Sequence, residues 1–213
     1  MLKFLLQIAF IALFTTGCSQ MYYSSMEKVG IHKRDIMVDR VEDVQESQEE
    51  AQKEFKSALE HFGSLVNIEN TSLKEAYEKF NDEYEDAKDA AEDVSKNINR
   101  LEDVSLALFN EWEEEITQYK NVNLKSQSKQ KLRKTKSKYK KMMNSMRHSE
   151  KNMEPILAAF HDNVLILKHS LNAQAIGALQ GEFDTLKSNI DLLITQMNIS
   201  ISESDKFIKE MKQ

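Results

Sequence analysis

Apolar residues recur along most of this chain at alternating spacings of three and four, the period of helices that pack side by side. The first such seam starts at Val41 and has a single polar interruption at Gln48. Its members are Val41, Val44, Gln48, Ala51, Phe55, Ala58, Phe62 and Leu65. Residues 67–72 are typical of a turn and end in a serine, and Glu75 follows three residues later, as in a capping box. A second helix is predicted to start there.

Three further seams follow in the same period. The second runs from Leu73 to about Tyr119, which predicts a helix roughly 70 Å long. The third follows residues 121–123 and contains Pro155, which predicts a kink or a short break near Met153. At Asn172 the register shifts, and a turn is favoured there over one continuous helix.

These seams predict an all-α protein, either an elongated antiparallel coiled-coil hairpin or a three- to four-helix bundle. Composition agrees, because five glycines and one proline leave few turn formers for a sheet protein. The predicted organisation is a leader at residues 1–17, an anchor and spacer at 18–33 and a helical domain at 34–213.

Charge is divided between neighbouring helices. Residues 69–115 carry a net charge of −11 and residues 125–151 a net charge of +10, within a chain of net −6. An antiparallel turn at residues 121–123 would bring the lysine-rich stretch 125–141 opposite Glu102, Asp103, Glu111 and residues 113–115. The overall negative charge argues against a nucleic-acid partner.

The first 17 residues have the form of a secretory leader, with Lys3, an apolar run from Phe4 to Phe14 and a small residue before Cys18. The apolar run is too short to span a bilayer. The junction resembles the bacterial lipobox, although Thr15 stands where an aliphatic residue is usual. The resemblance implies acylation of Cys18, including palmitate, and the serine that follows implies the periplasmic face of the outer membrane.

Several segments together resemble the Domain of Unknown Function family 2959, a family of Gram-negative, coiled-coil proteins with lipoprotein-type leaders. They are residues 22–36, 50–59, 108–113 and 167–173. The resemblance covers nearly the whole mature chain. It implies an envelope location and carries no activity or catalytic residue.

The side chains that support catalysis or metal binding occur here without the spacing that such chemistry needs. The five histidines form no pair one helical turn apart, so no metal site and no cofactor are predicted. Carboxylate pairs such as Glu113 and Glu114 are expected on solvated faces, and the chain is predicted not to be an enzyme. Trp112 and the methionines at 142, 143 and 146 are predicted to fill the core rather than line a ligand groove.

The basic run admits two interpretations. Its lysines, among them Lys131, Lys134, Lys138 and Lys141, could bind anionic lipid, lipopolysaccharide or another envelope polyanion. Neutralisation by the acidic helix is favoured. We therefore expect a membrane-tethered scaffold or adaptor that binds a protein partner or another copy of itself through its helices, with polyanion binding as the alternative.

Overall fold

The computed structural model describes residues 32–66, 73–169 and 173–212, which form four long helices. They are α1 (Lys33–Val66), α2 (Leu73–Gln118), α3 (Val122–His169) and α4 (Ala173–Met211). The leader, Cys18 and the predicted capping serine lie outside the described residues. No strand is present in the part of the chain that the structure describes, and the all-α prediction is confirmed.

Each helix packs against two others. α1 and α3 both contact α2 and α4, so the helices lie around the bundle in chain order. Pairing is antiparallel, since Glu42 near the start of α1 bonds Lys212 just past the end of α4. The fold is thus a four-helix bundle, and the alternative of a two-helix hairpin does not apply. The 48 residues of α3 give it a length of about 72 Å.

The predicted seams form the core. All eight residues of the first seam are fully buried, including Gln48. Three methionines of α3, Met142, Met143 and Met146, are also buried, which confirms that they fill the core. Buried apolar area of this extent is the main source of stability in a helical bundle.

Phenylalanine rings join all four helices at the end where α1 finishes. Phe62 of α1 stacks on Phe80 of α2 with centroids 5.0 Å apart, and Phe80 meets Phe160 of α3 edge-on at 5.7 Å. Phe183 of α4 lies 6.2 Å from Phe62. The ring of Phe183 fits because Gly63 has no side chain, since a Cβ there would lie 2.7 Å from Cε2 of Phe183.

One polar pair crosses the centre of this core. Gln48 of α1 donates from Nε2 to Ser149 Oγ of α3 at 2.8 Å, and that hydroxyl donates to the Met146 carbonyl at 2.8 Å. Gln48 Oε1 has no hydrogen-bond partner among the described residues. The pair links helices that are diagonal neighbours in the bundle.

Two expectations about α3 have different outcomes. The predicted short break near Met153 is wrong, because α3 is continuous from Val122 to His169, and the alternative of a kink there stays a prediction. Proline has no N–H, so Pro155 leaves the carbonyl of Lys151 without its helical hydrogen bond. Both residues are exposed, so water can bond that carbonyl. The predicted reversal after α3 is confirmed, since α3 ends at His169 and the antiparallel α4 begins at Ala173.

Candidate interaction surfaces

The start of α1, the end of α2, the start of α3 and the end of α4 meet at one end of the bundle, called here the Lys33 end. Lys33 is 6% exposed and donates from Nζ to Glu111 Oε1 at 3.0 Å, which fixes α1 against α2. A cleft of about 270 Å³ lies beside this pair and is lined by Arg34, Trp112 and Lys131, together with side chains of α4.

The α2–α3 hairpin projects beyond the other two helices at the Lys33 end. α2 continues for seven residues past Glu111, the partner of the first residue of α1, which corresponds to about 10 Å. Residues 116–131 are called here the hairpin tip. Ile116 and Leu132 are buried between the two helices, and Trp112 Nε1 donates to Ser128 Oγ at 3.0 Å.

Asn121 begins the second helix of the hairpin. Its Oδ1 accepts from the backbone nitrogens of Asn123 at 2.9 Å and Leu124 at 3.2 Å, and its carbonyl accepts from Lys125 at 3.0 Å. This is an N-cap, in which a side-chain oxygen bonds amides that have no partner within the helix. The sequence pattern located the turn, and the structure identifies the residue that terminates it.

The surface of the hairpin tip is apolar and basic. Tyr119, Val122 and Leu124 are 42%, 78% and 49% exposed. The 16 residues of the tip contain four lysines and no aspartate or glutamate. The chain has a net charge of −6, but the hairpin tip is positively charged and carries exposed apolar side chains.

The four lysines predicted for polyanion binding have different surroundings. Lys138 forms an ion pair with Glu210 of α4, and Lys141 forms one with Glu203 at 2.9 Å. Lys131 and Lys134 are exposed and have no carboxylate within 4.0 Å among the described residues. They line the cleft at the Lys33 end.

Neutralisation between α2 and α3 is present but less extensive than the charge pattern predicted. Lys136 bonds Glu113 at 2.5 Å, and Arg147 bonds Glu102 at 2.6 Å. Glu111 instead pairs with Lys33 of α1. The prediction that the whole basic stretch opposes α2 is wrong, because α4 also lies beside α3 and supplies Glu203 and Glu210.

The outer face of α4 carries a stripe of residues at helical spacing, in addition to the buried residues of this helix. All of its members are exposed and uncharged, and Leu192 and Ile199 are 57% and 54% exposed. The stripe consists of Thr185, Ser188, Leu192, Thr195, Ile199 and Ser202. Its spacings alternate between three and four residues and extend over about 26 Å. We call it the α4 stripe.

Comparison with protein-family models identifies the family of this chain. The model described as "Protein of unknown function (DUF2959)" matches residues 22–211. The chain belongs to the DUF2959 family. No curated protein matches it. The resemblance inferred from the sequence segments is thereby confirmed, and the name of the family assigns no activity.

An open groove of about 1060 Å³ lies between α2 and α3 of this DUF2959 chain. A polar network lies at its floor, where Ser95 Oγ donates to Glu150 at 2.5 Å and Arg147 bonds both Glu150 and Asn99. Burial lowers the pKa of Arg147, but hydrogen bonds to Glu102 and Glu150 outweigh it and raise the pKa. The guanidinium is thus held as a fixed cation that joins the two helices.

Three carboxylates converge across α1 and α2. One oxygen each from Glu54, Glu83 and Asp86 lies within 4.8 Å of the others, and His61 Nε2 lies 3.1 Å from Glu83 Oε1. Burial, followed by the negative charges of Glu50 and Asp86, raises the pKa of Glu54. Such oxygens are of the type that hard cations bind. Analysis of spacing within single helices missed this cluster, because its members lie on two helices.

Within the described residues, no helix combines the length and the apolar composition that a bilayer crossing needs. Among the carboxylates considered for acid–base chemistry, Glu113 and Glu114 are exposed, as expected for a solvated helix face. Trp112 is half-buried against Ser128 at the edge of the Lys33-end cleft.

Proposed function

We propose that this chain is a lipid-anchored envelope protein whose bundle acts as a scaffold or adaptor and binds a helix of a partner protein along the α4 stripe. The stripe is the single observation that carries the proposal. A seven-residue repeat on an exposed face is the surface that a helix packs against. The residues of the stripe are not part of the core of the bundle.

Charge beside the stripe indicates the chemistry of the partner. Asp184, Asp191 and Asp205 lie along one edge of the stripe at multiples of seven residues. A second copy of α4 would bring its own aspartates into the same interface. We therefore favour a different protein whose helix has lysine or arginine at its flanking positions.

Site-specific photo-crosslinking in intact cells tests the docking surface. A photoreactive residue replaces Leu192 or Ile199, and a matched control replaces Leu106, an isolated apolar residue of α2 that is 64% exposed. We expect one adduct of defined mass from both stripe positions and none from Leu106. Loss of the adduct on Thr195→Glu would support a helix packed on the stripe. Equal adducts from all three positions, or an adduct only to the chain itself, would contradict the proposal.

The proposed anchor has a separate test. Attachment through Cys18 predicts that cells fed a fatty-acid analogue label the wild-type protein and do not label Cys18→Ala. Acylation is not expected to be needed for folding, because the described core lies within residues 36–211. Labelling of the alanine variant would reject Cys18 as the acylated residue.

Binding of an envelope polyanion through the four predicted lysines has weaker support. Two of the four predicted lysines, Lys138 and Lys141, already bind carboxylates of α4. Lys131 and Lys134 share their cleft with Glu111 and other acidic side chains. Charge reversal at Lys131 and Lys134 should therefore leave retention on a lipopolysaccharide matrix unchanged.

A further inference from the structure

We infer that the hairpin tip docks on an anionic phospholipid surface and holds the bundle upright on the membrane. In this arrangement Tyr119, Val122 and Leu124 enter the headgroup region. Lys120, Lys125 and Lys129 contact lipid phosphates. The inference rests on the proposed lipid anchoring, because it describes how the anchored bundle meets the membrane.

The composition of the tip fits this partner. An aromatic ring and two aliphatic side chains stand exposed within six residues. Such residues are favoured at the boundary between headgroups and acyl chains, and neighbouring lysines are attracted to the negative surface of anionic lipid. The absence of any carboxylate from residues 116–131 removes the repulsion that the rest of this acidic chain would experience.

The position of the tip fits the tether. α1 starts at Lys33 on the same end of the bundle as the tip, and 15 residue steps separate it from Cys18. A chain of that length reaches at most about 50 Å. The tip lies about 10 Å beyond the level of Lys33, whereas the end of α1 lies about 50 Å away on the opposite side. The start of α1, to which the tether attaches, and the tip therefore lie at the same end of the bundle, and the opposite end lies at the limit of the tether's reach.

The charge of α2 disfavours a bundle that lies flat on its α2 side, whereas the α3 side, with a net charge of +10 over residues 125–151, would not be repelled. Residues 69–115 have a net charge of −11, and those from Leu73 onward belong to α2. An anionic surface would repel that side. Contact through the tip instead leaves the α4 stripe open along the length of the bundle.

Vesicle binding of the unacylated chain tests the tip independently of Cys18. The chain from Ser19 onward retains every described core residue, so it keeps the bundle. We expect it to sediment with vesicles of phosphatidylcholine and phosphatidylglycerol, and not with phosphatidylcholine alone. Replacing the lysines at 120, 125 and 129 by glutamine should weaken binding at least tenfold. So should replacing Val122 and Leu124 by asparagine.

A matched triple variant separates the tip from general electrostatics. Lys79, Lys151 and Lys168 are exposed lysines away from the tip, and their replacement by glutamine changes the net charge equally. We expect this variant to bind like wild type. Equal loss in both triple variants, or no binding of the wild type, would overturn the inference. Circular dichroism of each variant confirms that the helices remain folded.

Depth of insertion gives a second measurement. In a chain with Trp112→Phe, a tryptophan placed by Val122→Trp should shift to shorter emission wavelength and be quenched by brominated lipid on anionic vesicles. Unchanged emission would overturn the inference even if vesicles bind. Neither assay uses acylated protein. If both assays fail, the proposed acylation of Cys18 is still tested separately by fatty-acid labelling.

Discussion

Gln48 shows how one polar residue behaves inside an apolar seam. Its amide nitrogen bonds Ser149, while its Oε1 lacks a partner among the described residues. A buried polar atom without a hydrogen bond costs free energy, whereas the bond that is made contributes about 1 kcal/mol. The residue therefore contributes little to stability, and it fixes the register of α1 against α3.

We predict that Gln48→Met raises the free energy of unfolding by about 1 kcal/mol, because methionine fills a similar volume and removes the unpaired oxygen. Ser149 keeps its bond to the Met146 carbonyl. Urea denaturation followed by circular dichroism measures the effect. Gln130→Met, at an exposed position of α3, is the control and should change stability by less than about 0.5 kcal/mol. A destabilised Gln48→Met would show that the bond to Ser149 outweighs the unpaired oxygen.

The raised pKa of Glu54 predicts that the stability of the bundle depends on pH. Its pKa is raised in the folded state by burial and by the carboxylates around it, from an ordinary value of 4.5. The folded protein thus holds this proton more tightly than the unfolded chain, and stability falls as pH rises from about 4.5 through the folded pKa. Glu54→Gln should therefore be more stable than wild type at pH 7, by about 0.5 kcal/mol, with a smaller difference at pH 4.

Glu203 serves as the control of opposite sign. Hydrogen bonds from Lys206 and Lys141 lower its pKa. Its stabilising contribution is present above the unfolded pKa and disappears as pH falls. Glu203→Gln should accordingly be less stable than wild type at pH 7, and the difference should vanish in acid. Thermal unfolding at both pH values measures the two variants, and the same sign for both would refute the assignment.

At the level of elements, the helix boundaries follow from local chemistry. The break between α2 and α3 occurs where Asn121 offers a side-chain oxygen to two backbone amides. Helix interiors tolerate more than propensity suggests, since α3 passes through Pro155 where the lost bond faces solvent. Pro155 does not end α3, because the carbonyl of Lys151 that it leaves without a donor can bond water.

Loss of the cap should loosen the hairpin tip alone. We predict that Asn121→Ala costs the start of α3 about 1 kcal/mol, which corresponds to roughly fivefold faster amide hydrogen exchange near residues 122–126. Asn121→Asp keeps an accepting oxygen and should exchange like wild type. Exchange of amides in the Phe80 region should not change in either variant. Faster exchange throughout the bundle would show that the tip is coupled to the core.

For the whole molecule, closure of α1 against α4 makes one bundle out of two hairpins. Gln45 Nε2 donates to the Ile201 carbonyl at 3.1 Å and to Asp205 at 3.0 Å, and Gln52 bonds Asn198 at 3.2 Å. These contacts join residues about 150 positions apart. They also hold the α4 stripe at a fixed position relative to the Lys33 end.

Cross-linking tests this closure. In a chain with Cys18→Ser, cysteines at Gln52 and Asn198 should be joined rapidly by a short bismaleimide, because those side chains are in contact. Cysteines at Gln52 and Ser126 are the control, since at least about 28 Å of helix separates them along the bundle axis. Mass spectrometry of the peptides measures both pairs. Equal yields would mean that the first and last helices do not pack as described.

The sequence by itself determined that the chain forms helices, the approximate positions of the breaks between them and which face of each is buried. These properties depend on residues within a few turns of one another, so the seams from Val41 to Leu65 and beyond were predicted correctly. Cys18 and the leader are also sequence features, and their role stays a prediction.

The tertiary structure decided which helices are neighbours, and every candidate surface depends on that. Lys138 and Lys141 find carboxylates on α4, although charge along the sequence favoured α2. The carboxylate cluster, the projecting tip and the free α4 stripe likewise arise from the alignment of distant segments. A linear pattern fixes the period of a helix and leaves open its partner and its axial position. Packing among all four helices sets both.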